Sequence, residues 1–279
     1  MAEPYYSDSA VTLYLGRMED VLPELGEFDA CVTDPPYVET SLAWDRWPDG
    51  WPTVVAEHTR SMWCFGSMRM FLDRRDEFNS WRLSQDVVWE KHNGTGFAAD
   101  RFKRVHEHAL HFYRGAWSAV HHNTPRVTVA RRTKGNAGRG RETHTGKIRS
   151  ATWTDDGTRL VRSVIKAASM WRRGAVHPTQ KPTEVLAPLI EYAVPDGGLV
   201  LDPFAGSGST LLTARQRGRQ AVGIEANEEY AERAAAQLFL AATFEFELCG
   251  SCGKDTDGHT AGRDVFGNWR AWCRAEGAA

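Results

Sequence analysis

The spacing of apolar positions divides the chain into an ordered first part, an irregular middle and an ordered last part. Residues 11–15 read as a short strand, and residues 18–25 have helical spacing. Residues 28–32 are a β-prone run that ends at Thr33-Asp34-Pro35-Pro36. Two prolines cannot continue a central strand, so the chain must leave its sheet there. Residues 53–62 read as a helix, 62–65 as the next strand, 68–78 as a helix, and 85–89 and 107–113 as two further strands. From residue 115 to about 170 periodicity fades and Gly, Arg and Thr dominate, as in Arg131-Arg132 and in the run from Lys134 to Arg141. That stretch reads as an insert with a mobile loop. Regularity then returns. Residues 183–193 form a helix with Val185, Leu186, Leu189 and Ile190 in helical register, after Lys181-Pro182, where a proline suits a helix start. A buried strand follows at 199–201, then a helix at 209–217 that Gly218 can close as a left-handed cap. A strand at 220–224 and a helix at 228–240 complete the pattern. Strands alternating with helices predict an α/β fold around a mainly parallel sheet.

A chain of 279 residues suits one large domain, or a core domain carrying a small insert. It has no run of 18 apolar residues and no basic, apolar leader, so the expectation is a cytoplasmic protein without a membrane partner. Five cysteines are too few and too scattered for a disulfide framework and are expected to be reduced, with Cys31 and Cys64 as core residues of apolar strands. The net charge of −2 taken alone argues against a nucleic-acid partner, but its distribution does not. Residues 91–173 hold 18 Lys and Arg against 5 Asp and Glu, while the rest of the chain holds 16 against 31. A strongly cationic segment inside an acidic protein is what a phosphate-facing module looks like, and equally what a solvated basic loop looks like.

The candidate chemistry sits at two strand ends. Leu199-Val200-Leu201-Asp202 runs into Pro203-Phe204-Ala205-Gly206-Ser207-Gly208 and then a helix, and glycines at such a turn let a ligand approach the backbone. Glu225 ends the next strand, where a carboxylate can accept hydrogen bonds from both hydroxyls of a ribose. The loop lacks the full G-x-G-x-x-G pattern and the Gly-Lys-Ser/Thr of a phosphate loop, so alone it is equally a tight turn with no ligand. His177-Pro178-Thr179-Gln180-Lys181-Pro182 lies just upstream, and Asp34-Pro35-Pro36-Tyr37 stands at the earlier strand end.

Together these three motifs resemble the β group of amino-methylating DNA methyltransferases. The order is tetrad, basic segment, then glycine loop. In that group the target-recognition region lies between two halves of a circularly permuted, Rossmann-like S-adenosylmethionine-dependent fold. The resemblance implies a catalytic half at 1–115, a basic target-recognition insert at 116–170, a cofactor half at 171–247 and an extension at 248–279. It makes Asp202 through Gly208 and Glu225 cofactor-binding, with Lys181 pairing the cofactor's carboxylate and Thr179 adding a hydroxyl. Trp89-Glu90-Lys91-His92-Asn93, Arg101-Phe102 and His106-Glu107-His108 look like the stretch that shapes the base pocket. An exocyclic amine is a poor nucleophile because its lone pair is delocalised into the ring. The carboxylate of Asp34 and the carbonyl of Pro35 would each accept one of its N–H groups and turn it towards the methyl. Pro35 and Pro36 stiffen that turn, Tyr37 stacks on the base, and the base must be flipped out of its duplex. Family members often carry Gly-Asp before the first helix, where the Asp contacts the cofactor's adenine. Here the pair is Gly16-Arg17, with Glu19 and Asp20 as the nearby acidic residues.

A tetrad that opens with Asp favours N6 of adenine, since cytosine-N4 members more often have Ser. Cytosine-N4, RNA or protein-glutamine methylation and a non-catalytic DNA-binding relic are the alternatives. Double-stranded DNA is the expected partner, met by Arg131, Arg132, Lys134, Arg139 and Arg141 of the insert. A homodimer and a restriction endonuclease of the same system stay open. In the extension, Cys249, Cys252, His259 and Cys273 could hold a structural zinc ion, or form a reduced tail with no metal.

Overall fold

A computed structural model of the chain describes residues 2–40, 45–95, 99–129, 142–143, 146–147, 156–168, 180–243, 259–263 and 269–273. The chain forms two compact units, one from residues 1–123 and 163–279, the other Thr124–Arg162.

The larger unit is built on a nine-stranded sheet. Its main strands are β1 (Val11–Leu15), β2 (Ala30–Thr33), β3 (Ser61–Gly66), β4 (Arg82–Thr95), β5 (Arg104–Tyr113), β6 (Val164–Ala167), β7 (Leu199–Asp202) and β8 (Gln220–Glu225). The short strand Tyr6–Ser7 leads the order, followed by β1, β8, β7, β2, β3, β5, β4 and β6. From β1 to β3 all pairings are parallel. Strand β5 is antiparallel to both β3 and β4, and β6 runs parallel to β4. Every residue of β2 and β3 is buried, which is why these strands read as continuous apolar runs rather than alternating ones.

Helices cover both faces. One core packs Ala30, Val32, Trp63 and Val200 with Val185, Leu189, Leu211 and Ala234, carried by α4 (Thr183–Ala193), α5 (Ser209–Gln216) and α6 (Glu228–Thr243). Met18, Trp51, Val55 and Phe71 lie in the opposite core with Cys31, Met62, Leu201 and Ile224. They come from α1 (Met18–Val21), α2 (Trp51–His58) and α3 (Met68–Asp73). Period-two alternation along β2 sends Ala30 and Val32 to one core and Cys31 to the other. The expected α/β architecture with a mostly parallel sheet is what forms.

Three local readings change. Helix α2 starts at Trp51 rather than residue 53, because Gly50 adopts φ 79° and Pro52 sits in the first turn, and it stops at His58, where Thr59 turns extended. Strand β4 reaches well beyond the expected 85–89 and β5 begins at Arg104 rather than residue 107, since they pair with each other. Strand β6 falls inside the stretch expected to be an insert. Val164–Ala167 carries too short a pattern to announce a strand, and its place comes from pairing with Val88–Lys91. The separate unit is therefore narrower than 116–170. In it Arg126–Thr128 pairs with Thr158–Leu160, and Arg126 meets Asp156 at 3.3 Å.

Arg131, Arg132, Lys134, Arg139, Arg141, Thr179, Cys249 and Cys252 lie outside the described residues. His259 and Cys273 are backbone register partners in a two-stranded ribbon, His259–Arg263 with Trp269–Cys273. Among the described residues no group of three or more His, Cys, Asp or Glu is arranged to hold a metal. No helix among them is long and apolar enough to cross a membrane.

Candidate active site

The two chemical motifs, 168 positions apart in sequence, leave the carboxyl ends of neighbouring parallel strands. Leu201 of β7 is the register partner of Cys31 of β2. The chain after β7 returns through α5 to β8 on one side, and the chain after β2 returns through α2 to β3 on the other. Connections that diverge in this way open a crevice at the strand ends, where α/β sheets bind ligands. A buried hydrogen bond stitches the two strand ends together: Thr33 Oγ1 donates to Asp202 Oδ1 at 2.8 Å, and the Phe204 amide donates to the same oxygen at 3.2 Å. Asp202 thus organises the turn from beneath.

Burial pushes the Asp202 carboxyl up to about 6, against the hydrogen bonds from Thr210 and Thr33. A carboxyl raised on folding binds more protons in the native state than in the unfolded one between its two pKa values. Its contribution therefore falls as pH rises from about 4 to about 6, and the penalty is complete above that. Asp202→Asn removes this dependence. Relative to wild type, the variant should gain about 2–3 kcal/mol between pH 4 and pH 7 in urea unfolding. A wild-type minus variant difference that stays flat over this range would remove Asp202 as a buried titrating group.

The turn itself needs glycine at two positions. Gly206 has φ 52° and Gly208 φ 76°, and a Cβ on Gly208 would come within 3.1 Å of Ala234 Cβ. Above Gly206 the space is open, with no atom nearer than 3.9 Å to a built Cβ, so a ligand can lie directly on the backbone. Glu225 Oε2 accepts from the Gly206 amide at 2.8 Å and Oε1 from the Asn227 amide at 2.7 Å. Each oxygen keeps a further lone pair, enough for two ribose hydroxyls. Burial raises the Glu225 carboxyl, partly countered by these amides. Pro203, Ala205 and Ser207 are buried, Ser207 Oγ lies 2.8 Å from Ser209 Oγ, and Phe204 packs edge-on against Trp51 at 5.3 Å. The cradle fits a nucleoside-type cofactor. Gly16-Arg17 lies beside it: the Gly16 amide donates to the Glu225 carbonyl at 2.9 Å, while exposed Arg17 pairs with Glu19 at 3.1 Å. Asp20 is exposed.

At the tetrad, Asp34 accepts from the Tyr37 hydroxyl and from the Lys181 ammonium. Lys181, expected to pair with the cofactor's carboxylate, therefore reaches the tetrad carboxylate. Its Nζ also lies 3.4 Å from Glu107 Oε2, 5.1 Å from the Phe65 ring centre and 6.0 Å from that of Trp89. Glu107 in turn accepts from Lys91, whose Nζ lies 4.7 Å from the Trp89 ring. Two carboxylates and two ammoniums thus form a charge-balanced cluster at the carboxyl edge of the sheet. Burial raises the Asp34 carboxyl, with Lys181 pulling the other way and Glu107 adding to the rise. Glu107 would also be raised by burial, yet Lys181 and Lys91 hold it down at about 2. Burial opposes the charge on Lys181, but Asp34 and Glu107 prevail and raise it. Burial and the Asp34 charge push the Tyr37 phenol up, so it stays a neutral donor.

The family-like stretches around Lys91 and Glu107 were visible in the sequence, but their pairing with Lys181 was not. The available signal was opposite charges on strands whose neighbours are apolar. Asp45 gave no signal. Its carboxylate accepts the amides of Val38 at 2.7 Å, Glu39 at 3.0 Å and Thr40 at 2.7 Å. These bonds hold Val38, a β-branched residue, at φ 63°, and so fix the path of the chain directly after the tetrad.

Residues 28–237 match the family model N6_N4_Mtase, described as DNA methylase. The type II methyltransferase M.ScaI of Streptomyces caespitosus is 29% identical over 265 residues, 85% of this chain and 84% of that protein. The type II methyltransferase M2.DpnII of Streptococcus pneumoniae is 36% identical over 98 residues, 35% of this chain and 33% of that one. Among solved structures, the M1.HpyAVI–SAM complex superposes with a TM-score of 0.57 at 21% identity, covering 80% of this chain and 98% of that one. The cytosine-N4-specific PvuII DNA methyltransferase gives 0.55 at 16% identity, covering 84% and 88%. These two superpositions establish a shared fold.

Proposed function

We propose, from the premise that the chain belongs to the DNA methylase family matched over residues 28–237, that it is an S-adenosylmethionine-dependent DNA methyltransferase acting on N6 of a flipped-out adenine. The observation that carries this reading is the half-buried Asp34 carboxylate one strand away from the Gly206 cradle. An acceptor for an amine and a bed for a nucleoside cofactor open into one crevice.

Bound S-adenosylmethionine supplies an electrophilic sulfonium methyl. Glu225 would receive the ribose hydroxyls, and the open backbone at Gly206 would let the cofactor lie close. Asp34 and the Pro35 carbonyl accept the two N–H groups of the target amine and draw its lone pair out of the ring plane, towards the methyl. Asp34 would then be placed to receive the one proton that the nitrogen gives up when it takes the methyl. Tyr37 keeps its hydroxyl on Asp34, which fixes the carboxylate's rotamer and leaves the ring beside the base position. The basic insert, with Arg131, Arg132, Lys134, Arg139 and Arg141, meets DNA phosphate and selects the site. A restriction endonuclease recognising the same site is the partner that this reading carries.

Adenine rather than cytosine rests on Asp at the head of the tetrad. The test is to methylate plasmid DNA, digest it to nucleosides and identify the product by mass. N6-methyladenine is expected. N4-methylcytosine as the sole product would overturn the adenine assignment while leaving the family intact.

A further inference from the structure

We propose that Lys181 has two seats, on Asp34 before the target base enters and on Glu107 once the base amine has taken Asp34, so that Glu107 is a positioning residue for amine capture. The inference rests on the reading of Asp34 as the amine acceptor.

Four observations carry it. Lys181 Nζ is already bonded to the Asp34 oxygen Oδ2, so an incoming amine must compete with an ammonium for that carboxylate. The second seat stands ready, since Glu107 Oε2 faces Lys181 Nζ at 3.4 Å and, among the described residues, makes no hydrogen bond of its own. The other Glu107 oxygen is held by Lys91, so the carboxylate stays in place while the lysine shifts. The Phe65 and Trp89 rings flank the ammonium at 5.1 and 6.0 Å and offer it π faces on its way, which lowers the cost of moving a buried cation. The exchange swaps one charge-assisted hydrogen bond for another and leaves net charge unchanged. An ammonium released with no second carboxylate would instead be a buried, unpaired charge.

The two residues act on Asp34 in opposite senses. The groups facing Asp34 are Tyr37 from the tetrad, Cys64 from β3, Glu107 from β5, Asp202 from β7 and Lys181 from the segment before α4, with Lys91 of β4 behind Glu107. Removing the ammonium makes Asp34 harder to ionise, and removing the Glu107 charge makes it easier.

The experiment is the pH profile of single-turnover methyl transfer from tritiated S-adenosylmethionine to plasmid DNA. Lys181→Met should move the acid limb of the profile to higher pH by about one unit or more, and Lys181→Arg should restore it. Glu107→Gln, nearly isosteric, should move the limb to lower pH. Its plateau rate should fall about tenfold because the lysine has lost its second seat, with the KM for DNA within twofold. Binding of S-adenosylhomocysteine by calorimetry identifies folded protein. If Lys181→Met does not fold, the downward limb and lowered plateau of Glu107→Gln decide alone. Limbs that stay in place or move in the same direction would overturn the proposal, as would a Glu107→Gln loss carried only by KM. Normal transfer by Asp34→Ala would sink the acceptor reading itself, a result distinct from any of these.

Discussion

Asp34→Ala is expected to lower methyl transfer by at least ~10³-fold while S-adenosylhomocysteine still binds within a few-fold of wild type. The first half follows from what the amine needs. Its lone pair is delocalised into the ring, and only paired acceptors on its two N–H groups hold it in line with the methyl and pull that lone pair outward. Deleting one preorganised electrostatic partner of a transition state typically costs ~10²–10³-fold in rate, and Asp34 adds the alignment of the nucleophile to that. The second half follows from where Asp34 sits. It directly follows β2 and bonds to Tyr37 and Lys181, while the Gly206 and Glu225 contacts belong to the ends of β7 and β8. The Thr33–Asp202 bond that joins the two strand ends does not involve Asp34 and should persist.

The alanine variant also strands Lys181 with Glu107 alone, so Asp34→Asn is the companion variant. It keeps the volume and one acceptor oxygen but removes the charge that holds Lys181. Both variants should be measured by single-turnover transfer to plasmid DNA with unfolding followed in parallel. Transfer by Asp34→Ala within tenfold of wild type, by folded protein, would remove Asp34 from the chemistry.

How much of this was legible in the sequence depends on the range of the interaction. The order of strands and helices was, because burial on both faces leaves continuous apolar runs such as 30–33 and 61–66, and because Gly218 marks a helix end locally. The glycine loop and the tetrad were legible as local turns. Strand β6 was not, since four residues with a lysine among them gain their strand state only by pairing with β4. The adjacency of Asp34 and Asp202 is a property of sheet order, which no local pattern encodes. The seat of Lys181 shows the same limit. Its hexapeptide pointed to the cofactor side, and only the meeting of β3, β4, β5 and the start of α4 places its ammonium on Asp34 and Glu107. Asp45 is invisible for a further reason: it acts mainly on the backbone amides of Val38, Glu39 and Thr40, with the Thr40 hydroxyl beside them, and such loop contacts leave no charge pattern to read.

Glu225→Ala should weaken S-adenosylhomocysteine binding about 100-fold with little loss of transfer rate at saturating cofactor. Each Glu225 oxygen already accepts one backbone amide and has one acceptor position left. Two ribose hydroxyls donating to those positions make hydrogen bonds to a charged group, each worth about 1.5–3 kcal/mol. Losing both outright would exceed the 100-fold figure, but water can enter the truncated site and recover part of the difference. The ribose is remote from the reacting methyl, so its contacts are the same in the ground and transition states. Such uniform binding appears in KM and not in kcat. Glu225→Gln separates this from a collapse of the turn. It keeps an acceptor oxygen and the side-chain length, and should lie between alanine and wild type in affinity. Because burial raises the Glu225 carboxyl, wild-type affinity should also fall as pH drops towards that raised value, a dependence absent from Glu225→Gln. Calorimetry across pH on the three proteins measures all of this. Affinity of Glu225→Ala within twofold of wild type would mean that the ribose is held elsewhere, and the cradle at Gly206 would then have to orient the cofactor without the carboxylate that faces it.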